Sequence, residues 1–228
     1  MTKTILLTGA TLDLGSKIAH HLDQQDYTLL LIDHEQMLLE SLGQQLKGDH
    51  TLVPFNTWTA DASQYATLTE MIGQDYEALD GIIFAEMYGD NLRPMIYCNP
   101  ETWLKALQIN LTASLWFVQV LLPNLIASQF SRLIFTTHDK HRQQPAYWHG
   151  FGVSQQALHA LIQSLYDEKA AYQALHLIIV DTGWIDTSVN RNIFPDGQAH
   201  WLPVEKIMPL YDQALAYKGT ELGHFAYE

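Results

Sequence analysis

Thr8-Gly9-Ala10-Thr11-Leu12-Asp13-Leu14-Gly15 lies between an apolar run and a helical pattern. Gly9 and Gly15 permit a tight turn and let an anion approach the free amides of a helix start, which is the chemistry of a pyrophosphate site. Thr11 and Leu14 would line that approach. Asp13 works against it. A carboxylate at a helix N-terminus can cap the orphan amides itself, and its charge repels phosphate. Asp33 ends the next apolar run. An acid there accepts from ribose hydroxyls and disfavours a 2′-phosphate, so a bound dinucleotide would be NAD rather than NADP. The same residue also fits a cap on the helical pattern at 35–46.

His138, His141, His149 and Tyr147 form a second group of polar side chains. His138 could pass a proton to a carbonyl oxygen. The alternative is that all four line a loop. The histidines show no metal-ligand spacing with cysteine or carboxylates, so no metal is expected. Cys98 is the lone cysteine. It excludes an intrachain disulfide and reads as a packing residue in a reducing compartment, which gives a cytoplasmic expectation.

These residues need elements to hold them. Short apolar runs at 4–7, 28–32, 51–54, 81–85, 133–136, 175–180 and 222–226 alternate with helical patterns at 14–25, 35–46, 64–72, 101–128, 154–172 and 204–217. That rhythm predicts an α/β fold, one domain over 1–228, with a doubly wound parallel sheet of about seven strands. Ile5-Leu6-Leu7 does not alternate, as befits a strand covered on both faces. Asn99-Pro100 predicts a capped helix start. Leu158, Leu161, Ile162 and Leu165 predict one buried stripe. Residues 187–203 show no period and read as a long loop over a site.

The turn at 8–15 resembles the Thr-Gly-x-x-x-Gly-x-Gly fingerprint of the short-chain dehydrogenase/reductase family, with Asp13 at the middle glycine. The resemblance spans nearly the whole chain. Asn99-Pro100, Trp103, Asn110, Phe135-Thr136, Arg142-Gln143, Trp148 and Ile207-Met208-Pro209-Leu210-Tyr211 resemble the YciK branch of that family. Thr182-Gly183-Trp184-Ile185-Asp186-Thr187 resembles its Pro-Gly-x-x-x-Thr segment, which implies that Gly183 and Thr187 lie beside a nicotinamide. The implied fold is a single-domain Rossmann fold, and the implied activity is hydride transfer.

The family mechanism uses a serine, a tyrosine, a lysine four residues later and an asparagine. Carried over, Asn110 matches the asparagine. His138 stands at the serine, Phe151 at the tyrosine and Gln155 at the lysine, with spacings of 28, 13 and 4 residues from Asn110 onward. Phenylalanine has no ionisable proton, and glutamine has no charge with which to lower a neighbouring pKa. Imidazole is larger than a hydroxyl and protonates nearer neutrality. The family's Asn-Asn-Ala-Gly becomes Phe84-Ala85-Glu86-Met87, which adds bulk and negative charge where a cofactor would approach.

Net charge is −13 with 12 Lys+Arg among 228 residues. Such a surface repels nucleic acid and anionic membranes. No signal peptide follows Lys3, and no run approaches the roughly 20 apolar residues of a membrane span. Three functions stay open. One is a non-catalytic homologue binding a dinucleotide or an unknown small molecule. Another is an NAD-dependent oxidoreductase using His138. The third is an interaction subunit. The resemblance implies a homodimer or homotetramer through the two long helices, with Leu115, Phe117 and Leu121 as outward apolar residues; core packing is the other reading of those three.

Overall fold

The apolar runs become seven parallel strands in the order β3-β2-β1-β4-β5-β6-β7 in this computed structural model, which describes residues 2–129, 131–139, 146–169, 172, 174–197 and 199–227. The strands are β1 (Thr4–Thr8), β2 (Thr28–Asp33), β3 (Thr51–Pro54), β4 (Gly81–Phe84), β5 (Ser131–Thr137), β6 (Leu175–Asp181) and β7 (Gly223–Ala226). β4, β5 and β6 are buried along their whole length, which explains the continuous apolar stretches Ile82–Phe84, Leu133–Phe135 and Leu177–Val180 at their centres.

The helices are α1 (Asp13–Asp23), α2 (Gln36–Gln45), α3 (Ala62–Asp75), α4 (Pro100–Leu107), α5 (Ala113–Ala127), α6 (His149–Glu168), α7 (Ser188–Ile193) and α8 (Met208–Ala216). Two cores result. One buries Ile18, Leu39 and Tyr211 against one sheet face, and the other buries Tyr65, Phe117 and Ile162 against the opposite face. Each such apolar side chain contributes roughly 1.5–3 kcal/mol.

Strand order reverses between β1 and β4, where Thr8 pairs with Phe84. A crevice therefore opens beyond the carboxyl ends of these strands, as expected at a topological switch point. The turn at 8–15 forms one bank and Ala85-Glu86-Met87 the other.

Several expectations change. The segment 187–203 is not a featureless loop. It holds α7, capped by the Thr187 hydroxyl, and Ile185 bridges Leu202. α7 has six residues, too few to show a helical period. The helix expected at 101–128 carries a π turn at Gln108–Thr112. α6 starts five residues early at His149, with Gly150 packed against Trp103 and Ala106. α3 starts at Ala62 behind a capping box of Asp61 and Gln64. Leu158 and Ile162 are buried, while Leu161 and Leu165 are partly buried against the same core.

Phe117 and Leu121 are fully buried, which corrects their assignment to an outward face. They belong to the side of α5 that meets the sheet, and Leu115 is half-buried. The continuous helical segment Pro100–Ala127 is long and apolar enough to span a membrane by length and composition. Packing of Phe117, Val118, Leu121 and Leu125 on the sheet accounts for that apolarity.

Candidate active-site cleft

The turn at 8–15 is shaped by its own packing. Gly9 has φ +65°, and a Cβ there would lie 2.7 Å from the Glu86 Cα. A Cβ on Gly15 would lie 2.0 Å from the Gly9 carbonyl oxygen. Both glycines are therefore required before any ligand is considered.

Asp13 does not cap its own helix. Leu12 is the N-cap and has no side-chain cap bond. Asp13 occupies the first helical position, from which a carboxylate does not reach back as an N-cap residue does. Its Oδ2 instead accepts from the Ser188 amide at 2.6 Å. Thr187 Oγ1 accepts from the Asn190 amide at 3.2 Å, and Asn190 Nδ2 donates to the Ile185 carbonyl at 2.8 Å. The Gly183 amide donates to Asp181 Oδ1 at 2.9 Å. The Gly183–Thr187 segment is thus tied into the protein's own hydrogen bonds.

Asp33 does not cap α2 either, whose N-cap is Glu35. Its carboxylate accepts from the Thr11 amide at 3.0 Å, the His34 amide at 2.7 Å and His34 Nδ1 at 2.9 Å. A carboxylate has about four lone-pair sites, so about one remains for a ribose hydroxyl. Glu86 accepts from Thr57 Oγ1 at 2.8 Å. Burial pushes its carboxyl up to about 7, opposed by the Thr57 bond and by Lys105, and aided by the charge of Asp33.

The four positions of the sequence argument converge. The His138 amide donates to Gln155 Oε1 at 3.2 Å, and the His138 and Phe151 rings lie 6.2 Å apart edge to face. Asn110 sits in the π turn and bonds both ways to the Tyr88 main chain, at 2.7 and 2.9 Å. Its Nδ2 also reaches Ser154 Oγ at 2.9 Å, and Ser154 Oγ donates to the Phe151 carbonyl at 2.8 Å. His138, Phe151 and Gln155 are each 1% exposed, so none faces open solvent.

Aromatic side chains fill the space around them. Trp184 meets His138 edge to face at 4.4 Å and Phe194 at 5.0 Å, and stacks on Trp201 at 5.5 Å with planes 1° apart. Trp148 meets Phe151 at 5.7 Å and Phe194 at 5.8 Å. Ile193 of α7 closes on Gly89, where an added Cβ would lie 2.6 Å from its Cδ1. The space left among Asp13, Leu14, Ala85, Met87, His138 and Thr187 is about 30 Å³. Small-molecule sites measure roughly 300–1,000 Å³. Trp184, Phe194, Trp201 and Ile193 are the packing residues that sequence reasoning did not assign, and the density of aromatic residues at 184–201 was the available signal; Thr57, the partner of Glu86, carried none.

Tyr147 is exposed and stands apart from the residues lining the cleft. His149 is buried, and its Nε2 lies 3.0 Å from the Asn91 carbonyl. His141, Arg142 and Gln143 lie outside the described residues. A phenol and an ammonium do meet nearby, at Tyr88 and Lys105. The Lys105 Nζ lies over the ring face, 4.7 Å from its centroid, and burial raises the Tyr88 phenol rather than lowering it. Tyr88 does not line the cleft. Among the described residues no group of three His, Cys, Asp or Glu is placed to hold a metal ion.

A family model described as short chain dehydrogenase matches residues 3–198. YciK, an uncharacterized oxidoreductase of Escherichia coli K12, is 29% identical over 216 residues, spanning 92% of this chain and 84% of the relative. A short chain dehydrogenase structure from Shigella flexneri, complexed with NADP, gives a TM-score of 0.90 at 24% identity, covering 98% of this chain and 96% of the other. One from Escherichia coli CFT073, complexed with NADPH, gives 0.89 at 23% identity, covering 98% and 95%.

Proposed function

The chain belongs to the short-chain dehydrogenase family, and from that premise we propose that it is a member without hydride-transfer chemistry, acting as a ligand-binding or interaction homologue. The observation that carries this reading is the 30 Å³ left in the cleft lined by Asp13, Met87, His138 and Thr187, with Phe151 buried behind His138. A ring without a hydroxyl stands at the proton-donor position, Met87 lines the little space that is left, and Trp184 packs on His138 with Phe194 behind it. Gln155 binds a main-chain amide and brings no charge.

The ligand class to test first is a nicotinamide dinucleotide, because the two structural neighbours hold NADP and NADPH. In this chain binding is weakened or lost: Asp13 holds an amide beside the cleft and Glu86 crowds the turn. The preference for NAD rests on Asp33 alone and departs from both neighbours. A cytoplasmic location rests on the lone cysteine.

A second reading has one observation in its favour. His138 lines what is left of the cleft, so it is the residue from which a rescued oxidoreductase would work. For self-association, the apolar surface lies away from Phe117 and Leu121. Met95, Ile96, Tyr97, Leu104, Tyr147 and Val153 are all exposed, on the turn before α4, on α4, and before and on α6. That surface supports a homodimer through the two long helices.

Two measurements test the proposal. Thermal melts with NAD, NADH, NADP and NADPH at millimolar concentration are expected to shift little, since stabilisation follows ligand affinity. The wild-type chain is expected to consume no NADH or NADPH with a carbonyl panel. Turnover that vanishes in His138→Ala would overturn the proposal for the second reading. Combined His138→Ser, Phe151→Tyr and Gln155→Lys would restore activity only if the aromatic filling also yields.

A further inference from the structure

A groove of about 350 Å³ runs between the edge strand β3 and helix α3, and shares no residue with the cleft lined by Asp13 and His138. Its volume falls in the range of small-molecule sites. The walls are Leu30, Val53, Leu68 and Ile72, with Phe55 at one end and Tyr76 at the other. Tyr76 is held in place from three directions. Its hydroxyl lies 2.6 Å from Thr51 Oγ1, its amide donates to the Ile72 carbonyl, and its carbonyl accepts from Asn124 Nδ2 at 2.9 Å. The ring is therefore fixed before any ligand arrives, which lowers the ordering cost of binding.

The lining selects by charge. Asp75 is the one charged residue among the groove's lining residues, and no Lys, Arg or His joins it. It is exposed, and it lines the groove together with Tyr76, its neighbour in the chain. A carboxylate at the end of the groove that holds the Tyr76 ring attracts an ammonium by Coulomb and cation–π attraction and repels an acid. The net charge of −13 acts in the same direction.

An extended peptide fits less well. The Phe55 amide bonds back to Asp33, so by alternation Leu52 and Pro54 turn their main chains outward. Pro54 has no N–H, which leaves Leu52 as the outward residue with both groups in a strand of four. We propose that this groove is a second ligand site, for a compact aromatic molecule bearing one ammonium group.

The full chain labelled at methionine methyls tests this, because Met71 lines the groove and is 59% exposed. The probes are tryptamine, indole-3-acetate and 3-methylindole. Tryptamine is expected to shift the Met71 methyl saturably, and to bind about tenfold more tightly than the acid, since one is attracted and the other repelled. Asp75→Asn should close most of that gap, leaving only the small part due to the net charge, while 3-methylindole binding stays unchanged. Thr67→Trp, at an exposed lining position, should block all three probes. The proposal fails if tryptamine gives no saturable shift, if acid and amine bind alike, or if binding survives Thr67→Trp in a chain that melts as the wild type does.

Discussion

Replacing Asp13 with glycine removes the carboxylate that joins the start of α1 to the start of α7. The lost contact is a 2.6 Å hydrogen bond from the Ser188 amide to an ionised oxygen. Bonds to charged groups are worth roughly 1.5–3 kcal/mol, and the exposed position of Asp13 puts this one near the lower end. About 1 kcal/mol of it should be felt locally, as easier opening of 184–194, which corresponds to roughly fivefold faster amide exchange. Glycine at the first helical position costs roughly 0.5–1 kcal/mol more, spread over α1. Hydrogen exchange read by mass spectrometry separates the two, since peptides from β5 and β6 report global stability. Asp13→Asn keeps an acceptor and should fall between wild type and glycine. If exchange at 184–194 is unchanged in Asp13→Gly while α1 loosens, the carboxylate is not a tie and the reasoning about a self-closed cleft is wrong.

Gly15→Ala should prevent folding or lower the melting temperature by many degrees, because the new methyl has no room beside the Gly9 carbonyl; a melt within 2 °C of wild type, less than the shift from about 1 kcal/mol, would refute this. Buried Asp23 accepts from the Lys47 and Gly48 amides and from His50, whose Nδ1 accepts from Leu29. Burial alone would raise the Asp23 carboxyl, but those bonds hold it below its ordinary value, so its contribution is present above about pH 4 and is lost as pH falls through the depressed value. His50→Ala should cost about 2–4 kcal/mol at pH 7 in urea melts, by leaving two buried groups short of a partner. Glu86 runs the other way. Its folded carboxyl is raised to about 7, so stability should decline from about pH 4.5 to 7 as the carboxyl ionises in the unfolded chain but stays protonated in the folded one, and Glu86→Gln should flatten that slope and gain about 1–3 kcal/mol at pH 8.

Much of the fold was legible because its signals are local. Unbroken apolar runs marked the buried strands, and Asn99-Pro100 marked the start of α4, where Asn99 does accept from the Glu101 amide at 2.8 Å. The site was half legible. The spacing from Asn110 through His138 and Phe151 to Gln155 brings together residues that do meet in space. Their partners could not be read in advance. Asp13 read as a cap of its own helix and Asp33 as a ribose acceptor or a helix cap; Asp13 instead accepts from Ser188, and Asp33 from Thr11 and His34. Those partners lie 175 and 22 residues away for Ser188 and Thr11, so no local pattern encodes them. The outward and inward sides of α5 were not separable, because the helix is apolar nearly all round; Phe117 was placed by its neighbours rather than by its period.

Asn110 braces the loop after β4 against α6 through three hydrogen bonds. An architectural duty of that kind persists whether or not anything is reduced nearby. A search that counts this asparagine as a trace of turnover would be reading a contact that also serves as a strut. Chains built on this scaffold can therefore shed their chemistry and still present a familiar signature, and only the company the asparagine keeps tells the two apart.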